Sequence, residues 1–185
     1  MKKQIKDISS IQTGLFAKPS GIGELVYLQS KHFNENGELN TDLYPDLTAE
    51  DIVKKHILKN GDVLFAAKGA KNFAAVFENH NLPAVASTSF FVLRINDEKI
   101  LPHYLAWFLN HPATMAILKG QAIGTSIPSI SKQVLEALEI PVPDLKIQEA
   151  IIQLNKLRKK EKVLKQRIET LREKQIQQQI INAIK

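Results

Sequence analysis

The chain contains no cysteine. That excludes a disulfide framework and thiolate-bound metals, and it fits a reducing compartment. No run of 18 apolar residues occurs, so no transmembrane helix is expected. The opening "MKKQIKDISSIQTG" has lysines but no apolar stretch of the kind a secretory signal needs. A soluble cytoplasmic protein with no membrane contact is the expectation. Signatures of catalysis are equally scarce. The five histidines, His32, His56, His80, His103 and His111, are scattered and form no HExxH or comparable metal spacing. No serine sits in GxSxG. "GIGEL" (21–25) fails the dinucleotide pattern because position 26 is Val, and no Lys-Ser/Thr follows to make a phosphate loop. "PDL" (45–47) and "DEK" (97–99) only imitate the carboxylate-x-lysine of metal-dependent nucleases, and Asp97 lies in the turn signal "INDEKI". The chain is expected to do no chemistry by itself and to hold neither cofactor nor metal.

What is present is distributed unevenly. The net charge is +6 over 185 residues. Residues 1–145 hold 14 Lys/Arg against 15 Asp/Glu, a net of −1; residues 146–185 hold 11 against 4, a net of +7. The basic character belongs to the tail. Charge alone therefore does not say that the globular part touches nucleic acid.

At this length, with 44% hydrophobic residues, one core of ordinary size and an appendage are affordable. The segments "ELVYLQS" (24–30), "DVLFAAK" (62–68), "FAAVF" (73–77) and "AVASTSFFVLRI" (84–95) are rich in Val, Phe and Leu and bounded by Gly, Asn, Asp or Pro, which predicts strands. "GAKN" (69–72) predicts a hairpin connection, with Gly69 free to take positive φ. "DLTAEDIVKKHIL" (46–58) predicts a short helix with Thr48 as N-cap and Asp51 three residues later. "LPHYLAWFLNHPATMAILKG" (101–120) predicts a helix opened by Pro102, interrupted before Pro112 and ended by Gly120, with Leu105, Phe108 and Leu109 on one face. The fold class is α+β: a strand-rich domain with short helices over 1–145, followed by one long C-terminal coiled-coil helix over 146–185.

The last 40 residues contain no Gly or Pro, so a single helix of roughly 60 Å is expected. Alternate steps of four and three from Ala150 reach Leu154, Leu157, Glu161, Leu164, Ile168, Leu171, Gln175, Gln178 and Asn182. The apolar middle, Leu154, Leu157, Leu164, Ile168 and Leu171, suits a coiled-coil interface whose register is set by polar neighbours. Ile176, Ile180 and Ile184 continue a second line at i+4 spacing, so the contact face drifts around the helix. The stripe needs a partner helix, in another chain or in a second copy.

Polar loops remain: "TGLFAKPSGIG" (13–23), "QSKHFNENGELN" (29–40), "AKGAKN" (67–72), "VASTS" (85–89) and "GQAIGTS" (120–126). They offer lysines, amides and hydroxyls beside glycines, the groups that contact phosphates and base edges. In order, "LKNGDVLFAAKGAKNFAAVF", "VASTSFFVLRI", "LPHYLAWFLNHP" and "GTSIPSISKQVLEALEIPVPDLKIQEAI" resemble the target-recognition domain and adjoining helix of type I restriction-modification specificity subunits. The strongest marker is Gly124-Thr125-Ser126-Ile127-Pro128, Ile130-Ser131, then Ile140-Pro141-Val142-Pro143, Leu145 and Gln148. Asp144 departs from the second proline more common in the family.

The resemblance implies a non-catalytic subunit that binds double-stranded DNA, reads one half of a bipartite target and docks DNA adenine methyltransferase (modification) subunits and a restriction motor subunit. A full specificity subunit usually carries two recognition domains and two long helices, where this chain has one of each; the resemblance therefore implies a half-subunit forming a two-fold homodimer through the C-terminal helix, a split product working with another chain, or a fragment, and the homodimer is the expected form. Within that frame, Lys18, Ser20, Lys31, Lys68, Lys71, Asn72, Thr125 and Ser126 are the candidate DNA contacts, chosen for polarity, loop position and nearby glycine. An alternative of another class is a helical adaptor whose basic tail binds RNA or an acidic protein, with the globular part only structural.

Overall fold

The computed structural model describes residues 1–184 except 22, 35–36, 40–41, 50–51, 53, 70, 79–82 and 123–128. Its elements are β1 (Lys2–Gln4), α1 (Ile5–Ile8), β2 (Ser9–Thr13), β3 (Val26–Leu28), β4 (Val63–Ala66), β5 (Ala74–Val76), β6 (Ala84–Ala86), β7 (Phe90–Ile95), α2 (Pro102–Asn110), α3 (Pro112–Gly120), α4 (Lys132–Ala137), β8 (Glu139–Pro141) and α5 (Leu145–Ala183). Among the described residues no helix is long and apolar enough to cross a membrane.

The central sheet is antiparallel throughout, in the order β2-β7-β4-β5. Alternation along β4 explains why it lies inside. Val63 and Phe65 point into one apolar cluster, Leu64 and Ala66 into the other, and all four are inaccessible to solvent. β7 does the same, with Phe91 and Leu93 on one face and Phe90 and Val92 on the opposite one. The first face is covered by Ile5 and Ile8 of α1, Leu105 and Leu109 of α2, Leu118 of α3 and Leu135 of α4. The second is covered by the parallel ribbon β3–β6 and by the ring contacts of Phe33, Phe73 and Phe90, whose centroids lie 5.5–6.0 Å apart. Each fully buried Leu or Phe contributes about 1.5–3 kcal/mol by leaving water. A smaller cluster of Leu25, Tyr27, Leu47 and Val85 closes the outer side of the ribbon.

One ion pair braces the sheet. Asp62 is 2% exposed, and both its oxygens receive the Arg94 guanidinium, at 2.9 and 2.6 Å. Arg94 also donates to the Ile57 carbonyl, and the Lys59 N–H donates to Asp62. A bidentate, hydrogen-bonded pair of this kind tolerates burial that a lone carboxylate would not.

The prolines act as expected at 101–120. Pro102 and Pro112 each occupy the first helical turn, and the chain breaks at His111, whose extended backbone separates α2 from α3 and whose Nδ1 accepts from the Ala113 N–H at 3.3 Å. The hairpin between β4 and β5 also forms, pairing Phe65 with Ala74, and Gly69 takes φ +103°. Two expectations need correction. The run 84–95 is two strands, because the turn at 87–89 folds it around a 2.7 Å hydroxyl contact between Ser87 and Ser89. The helix expected over 46–58 is reduced, among the described residues, to one 3-10 turn at 54–56; Asp51 lies outside them. Leu47, Ile57 and Leu58 are drawn instead into two different apolar clusters, Leu47 and Ile57 through bridges to Leu25 and Val85. The N-terminal segment, to which no element was assigned from the sequence, supplies β1, α1 and β2.

α5 spans 39 residues and starts directly after a bolted junction. β8 pairs with β1, the Val142 N–H donates to the Met1 carbonyl, and Tyr104 Oη donates to the Pro141 carbonyl at 2.9 Å. Gln148, fully buried, then makes three hydrogen bonds: Oε1 accepts from the Leu101 N–H at 3.0 Å, and Nε2 donates to the carbonyls of Lys99 and Pro143 at 2.7 and 2.8 Å. Ile151 and Ile152 pack against the first core cluster. From Lys156 on, every described residue of α5 is exposed, and Lys159 reaches back to Glu38 at 2.9 Å.

Replacing Gln148 with Leu keeps the volume but orphans a buried N–H and two carbonyls. Gln148→Leu is expected to cost about 2–4 kcal/mol and to open the chain near residues 140–146 to protease. Urea unfolding and limited proteolysis read both. A stability within about 0.5 kcal/mol of wild type would show that the amide does not hold the helix.

Candidate nucleic-acid interface

Register decides which loops meet. β2 ends at Thr13 opposite Phe91, β4 ends at Ala66 opposite Phe90, and β5 begins at Ala74 opposite Phe65. The segment after β2, the hairpin 67–73 and the turn 87–89 therefore leave the same end of the sheet. The ribbon adds the segment after β3, since Leu28 pairs with Ala86 and the Ser87 N–H donates to the Leu28 carbonyl. A further segment joins through the bridge between Lys68 and Ser129 and the Ile130 N–H donating to Ala67.

Gly14 makes this convergence sterically possible. A Cβ there would lie 2.1 Å from the Ser87 carbonyl oxygen, so the end of β2 can run against the 87–89 turn only without a side chain.

Lys68 and Lys71, both exposed, flank the Gly69 turn of the hairpin. Asn72 is half-buried, and its Nδ2 donates to the Ala66 carbonyl at 2.9 Å, so this amide shapes the hairpin from within. Lys31, exposed, sits on the 3-10 turn 30–32, brought beside the hairpin by the contact of Phe33 with Phe73. Lys18 and Ser20, also exposed, follow the Leu15–Ser87 bridge but fold back along Tyr27 and Asp46. The Ala17 N–H donates to Tyr27 Oη, and the Ser20 N–H to the Asp46 carbonyl. Thr125 and Ser126 lie outside the described residues. A groove of about 1750 Å³ runs from Asn72 past Trp107 to Lys156 and Lys162 of α5, with Glu38 and Glu78 on its walls.

Sequence reasoning missed Gly14 and Ser129. Gly14 carried a weak signal, a glycine straight after a Ser/Thr-rich run, whereas the partnership of Ser129 with Lys68 exists only in the folded chain. Among the described residues no group of three or more His, Asp or Glu is placed to hold a metal ion.

The turn that carries Lys31 depends on a neutral imidazole. His32 Nδ1 accepts from the Gln29 N–H at 3.3 Å. Burial first, then the neighbouring Lys31, hold its pKa below the ordinary 6.5, against a smaller opposing pull from Asp46. With the folded value depressed, the unfolded chain takes up the proton first as pH falls, so stability is lost on descending through about pH 6.5. Thermal melts between about pH 7.5 and 5.5 should show a steeper decline for wild type than for His32→Gln; parallel declines would remove His32 from the account.

Comparison with known proteins matches this architecture. A model of the type I restriction modification DNA specificity domain covers residues 1–181. A putative type I restriction enzyme specificity subunit of Methanocaldococcus jannaschii is 30% identical over 115 residues, 59% of this chain and 26% of that protein. Among solved structures, a chain of a type I restriction-modification system superposes with a TM-score of 0.65 at 17% identity, over 90% of this chain and 40% of that one. The specificity subunits of M. genitalium and Thermoanaerobacter tengcongensis each give 0.60 at 16% identity, covering 85% and 90% of this chain and 38% and 39% of theirs. The chain thus spans well under half the length of the relatives it matches. With its family model running from the first residue through almost the whole of α5, the chain belongs to the type I restriction-modification DNA specificity domain family.

Proposed function

We propose that this chain reads one half of a bipartite target on double-stranded DNA, through the loop end of its sheet, as the specificity component of a type I restriction-modification complex. Residues 1–145 act as the recognition domain and 146–185 as a spacer and docking helix. The observation that carries the reading is the convergence, in a member of this family, of the segments bearing Lys31, Lys68 and Lys71 at one end of the sheet. Exposed lysines on loops stabilised from beneath suit phosphate contacts, which position a protein on DNA, while neighbouring amides and hydroxyls suit base edges. Specificity subunits of type I systems are non-catalytic, so adenine methylation and cleavage fall to modification and restriction subunits docked beside this chain in the cytoplasm. The exposed stripe of α5 supports pairing with a second helix, of which a homodimer is one form. The adaptor alternative is disfavoured by a family match that embraces the globular part as well as the helix.

Reconstitution with a type I modification subunit and mapping of methylated adenines across a DNA library tests the reading. The expected outcome is methylation confined to a target with a defined half-site that changes when the hairpin and the 87–89 turn are exchanged for those of a relative. Methylation whose sequence preference ignores that exchange would count against it. Lys68→Ala and Lys71→Ala are each expected to lower the slope of log affinity against log salt by about one unit while leaving sequence preference intact. Filter binding or fluorescence anisotropy over a salt series checks this, and unchanged slopes would move the DNA contact elsewhere.

A further inference from the structure

α5 carries two rails of positive charge, one on each side of its exposed stripe. The residues directly after Leu157, Leu164 and Leu171 are Arg158, Lys165 and Arg172. Those directly before the alternate seam positions Glu161, Ile168 and Gln175 are Lys160, Arg167 and Lys174. In a coiled coil these are the two flanking positions whose charges meet the partner helix. All six are basic, and all six are exposed.

The helix's own carboxylates do little to offset them. Glu173 lies on the opposite side of the helix, Glu149 lies in its first two turns beside the domain, and Glu169, one turn from both Lys165 and Arg172, ion-pairs with neither. Glu161 sits within the seam, ion-pairs with Lys165 at 2.7 Å and feels Arg158 more weakly, while the other four rail cations form no ion pair among the described residues. The leucines of the stripe face away from the domain, while Arg158, Glu161 and Lys165 border the groove between α5 and the domain. Gln148, Ile152, Asn155 and Lys159 mark the domain side of α5, about half a turn around the helix from Leu154, Leu157 and Leu164.

We propose that the leucine stripe of α5 is covered by an amphipathic helix with acidic residues along both edges of its own apolar seam, in preference to α5 of an identical chain. The inference rests on the reading that α5 pairs with a helix, and it specifies which kind. A second copy sets basic rail against basic rail in either orientation, because parallel helices oppose the two different flanks and antiparallel helices oppose like flanks. An acidic-edged helix turns the same contacts into ion pairs and covers the leucines at once. Duplex DNA would neutralise the rails but leave Leu157, Leu164 and Leu171 between phosphates and water, so a helix fits the surface better.

The probe is the full chain itself, with Arg158→Glu, Lys160→Glu, Lys165→Glu, Arg167→Glu, Arg172→Glu and Lys174→Glu, mixed with wild type carrying a different tag. Association is followed by analytical ultracentrifugation at about 50 and about 500 mM salt, which screens exposed charges progressively. Circular dichroism confirms equal helix content, and Arg167→Glu with Arg172→Glu alone serves if the sixfold variant does not fold. At low salt the mixed pair is expected to associate at least about tenfold more tightly than wild type with itself. Raising the salt should weaken the mixed pair and strengthen wild-type self-association, the latter an observation that needs no variant. Wild type pairing with itself at low salt as tightly as with the charge-reversed copy overturns the charge rule while leaving helix pairing in place. No association of either kind at any salt overturns both. Displacement of the charge-reversed copy by duplex DNA of unrelated sequence overturns the helix as occupant in favour of a nucleic acid.

Discussion

The buried carboxamide of Gln148 ties a rod to a domain, and the rest of the architecture is organised around that joint. A helix of 39 residues whose outer three-quarters is solvated could swing freely if only its first turn touched the core. Three hydrogen bonds from one side chain, to backbone groups of residues 99, 101 and 143, fix both the position and the rotation of that first turn. Satisfying all of them requires the stretch before α2 and the stretch before α5 to lie side by side. The β1–β8 pairing and the Tyr104 hydrogen bond secure the second of these. The prolines of the junction contribute by being unable to extend a helix backwards, so α5 starts where the clamp can hold it.

The sheet provides the complementary rigidity. With both faces of β4 and β7 packed, apolar side chains are committed to the interior in both directions. Polar residues are left to the strand ends. Segregation of this kind lets the loops at 14–21, 29–33, 67–73 and 87–89 vary in chemistry while the scaffold beneath them stays the same. Gly14 and the interior hydrogen bond of Asn72 are exceptions, since both serve the geometry of the loops themselves.

Much of this was legible in the residues, for reasons that can be named. α5 announces itself by the lack of Gly and Pro and by leucines at alternating steps of three and four. The α2–α3 break follows from Pro102 and Pro112, and the core strands from dense Val, Phe and Leu. The N-terminal segment was not legible because Ile5, Ile8 and Ile11 follow a spacing of three, which hides a strand, a single helical turn and another strand. β1 has no apolar pattern at all and exists because β8, from the far end of the domain, pairs with it. At the candidate interface lysines in polar loops are visible in the sequence, but their grouping depends on the register that sets Ala66 against Phe90. That Lys18 and Ser20 fold away along Tyr27 could not be inferred from polarity or nearby glycine, because it depends on a tyrosine hydroxyl ten residues further on.

The joint at Gln148 also has a lever arm. An angular error there is multiplied along a helix of roughly 60 Å, so a tilt of about 10° displaces the far end by about 10 Å, close to three base-pair steps of B-form DNA. Any half-site held at that distance would be read out of phase. On the proposed reading, one glutamine amide at the root of the rod thereby sets the tolerance with which a length of helix is translated into a length of DNA.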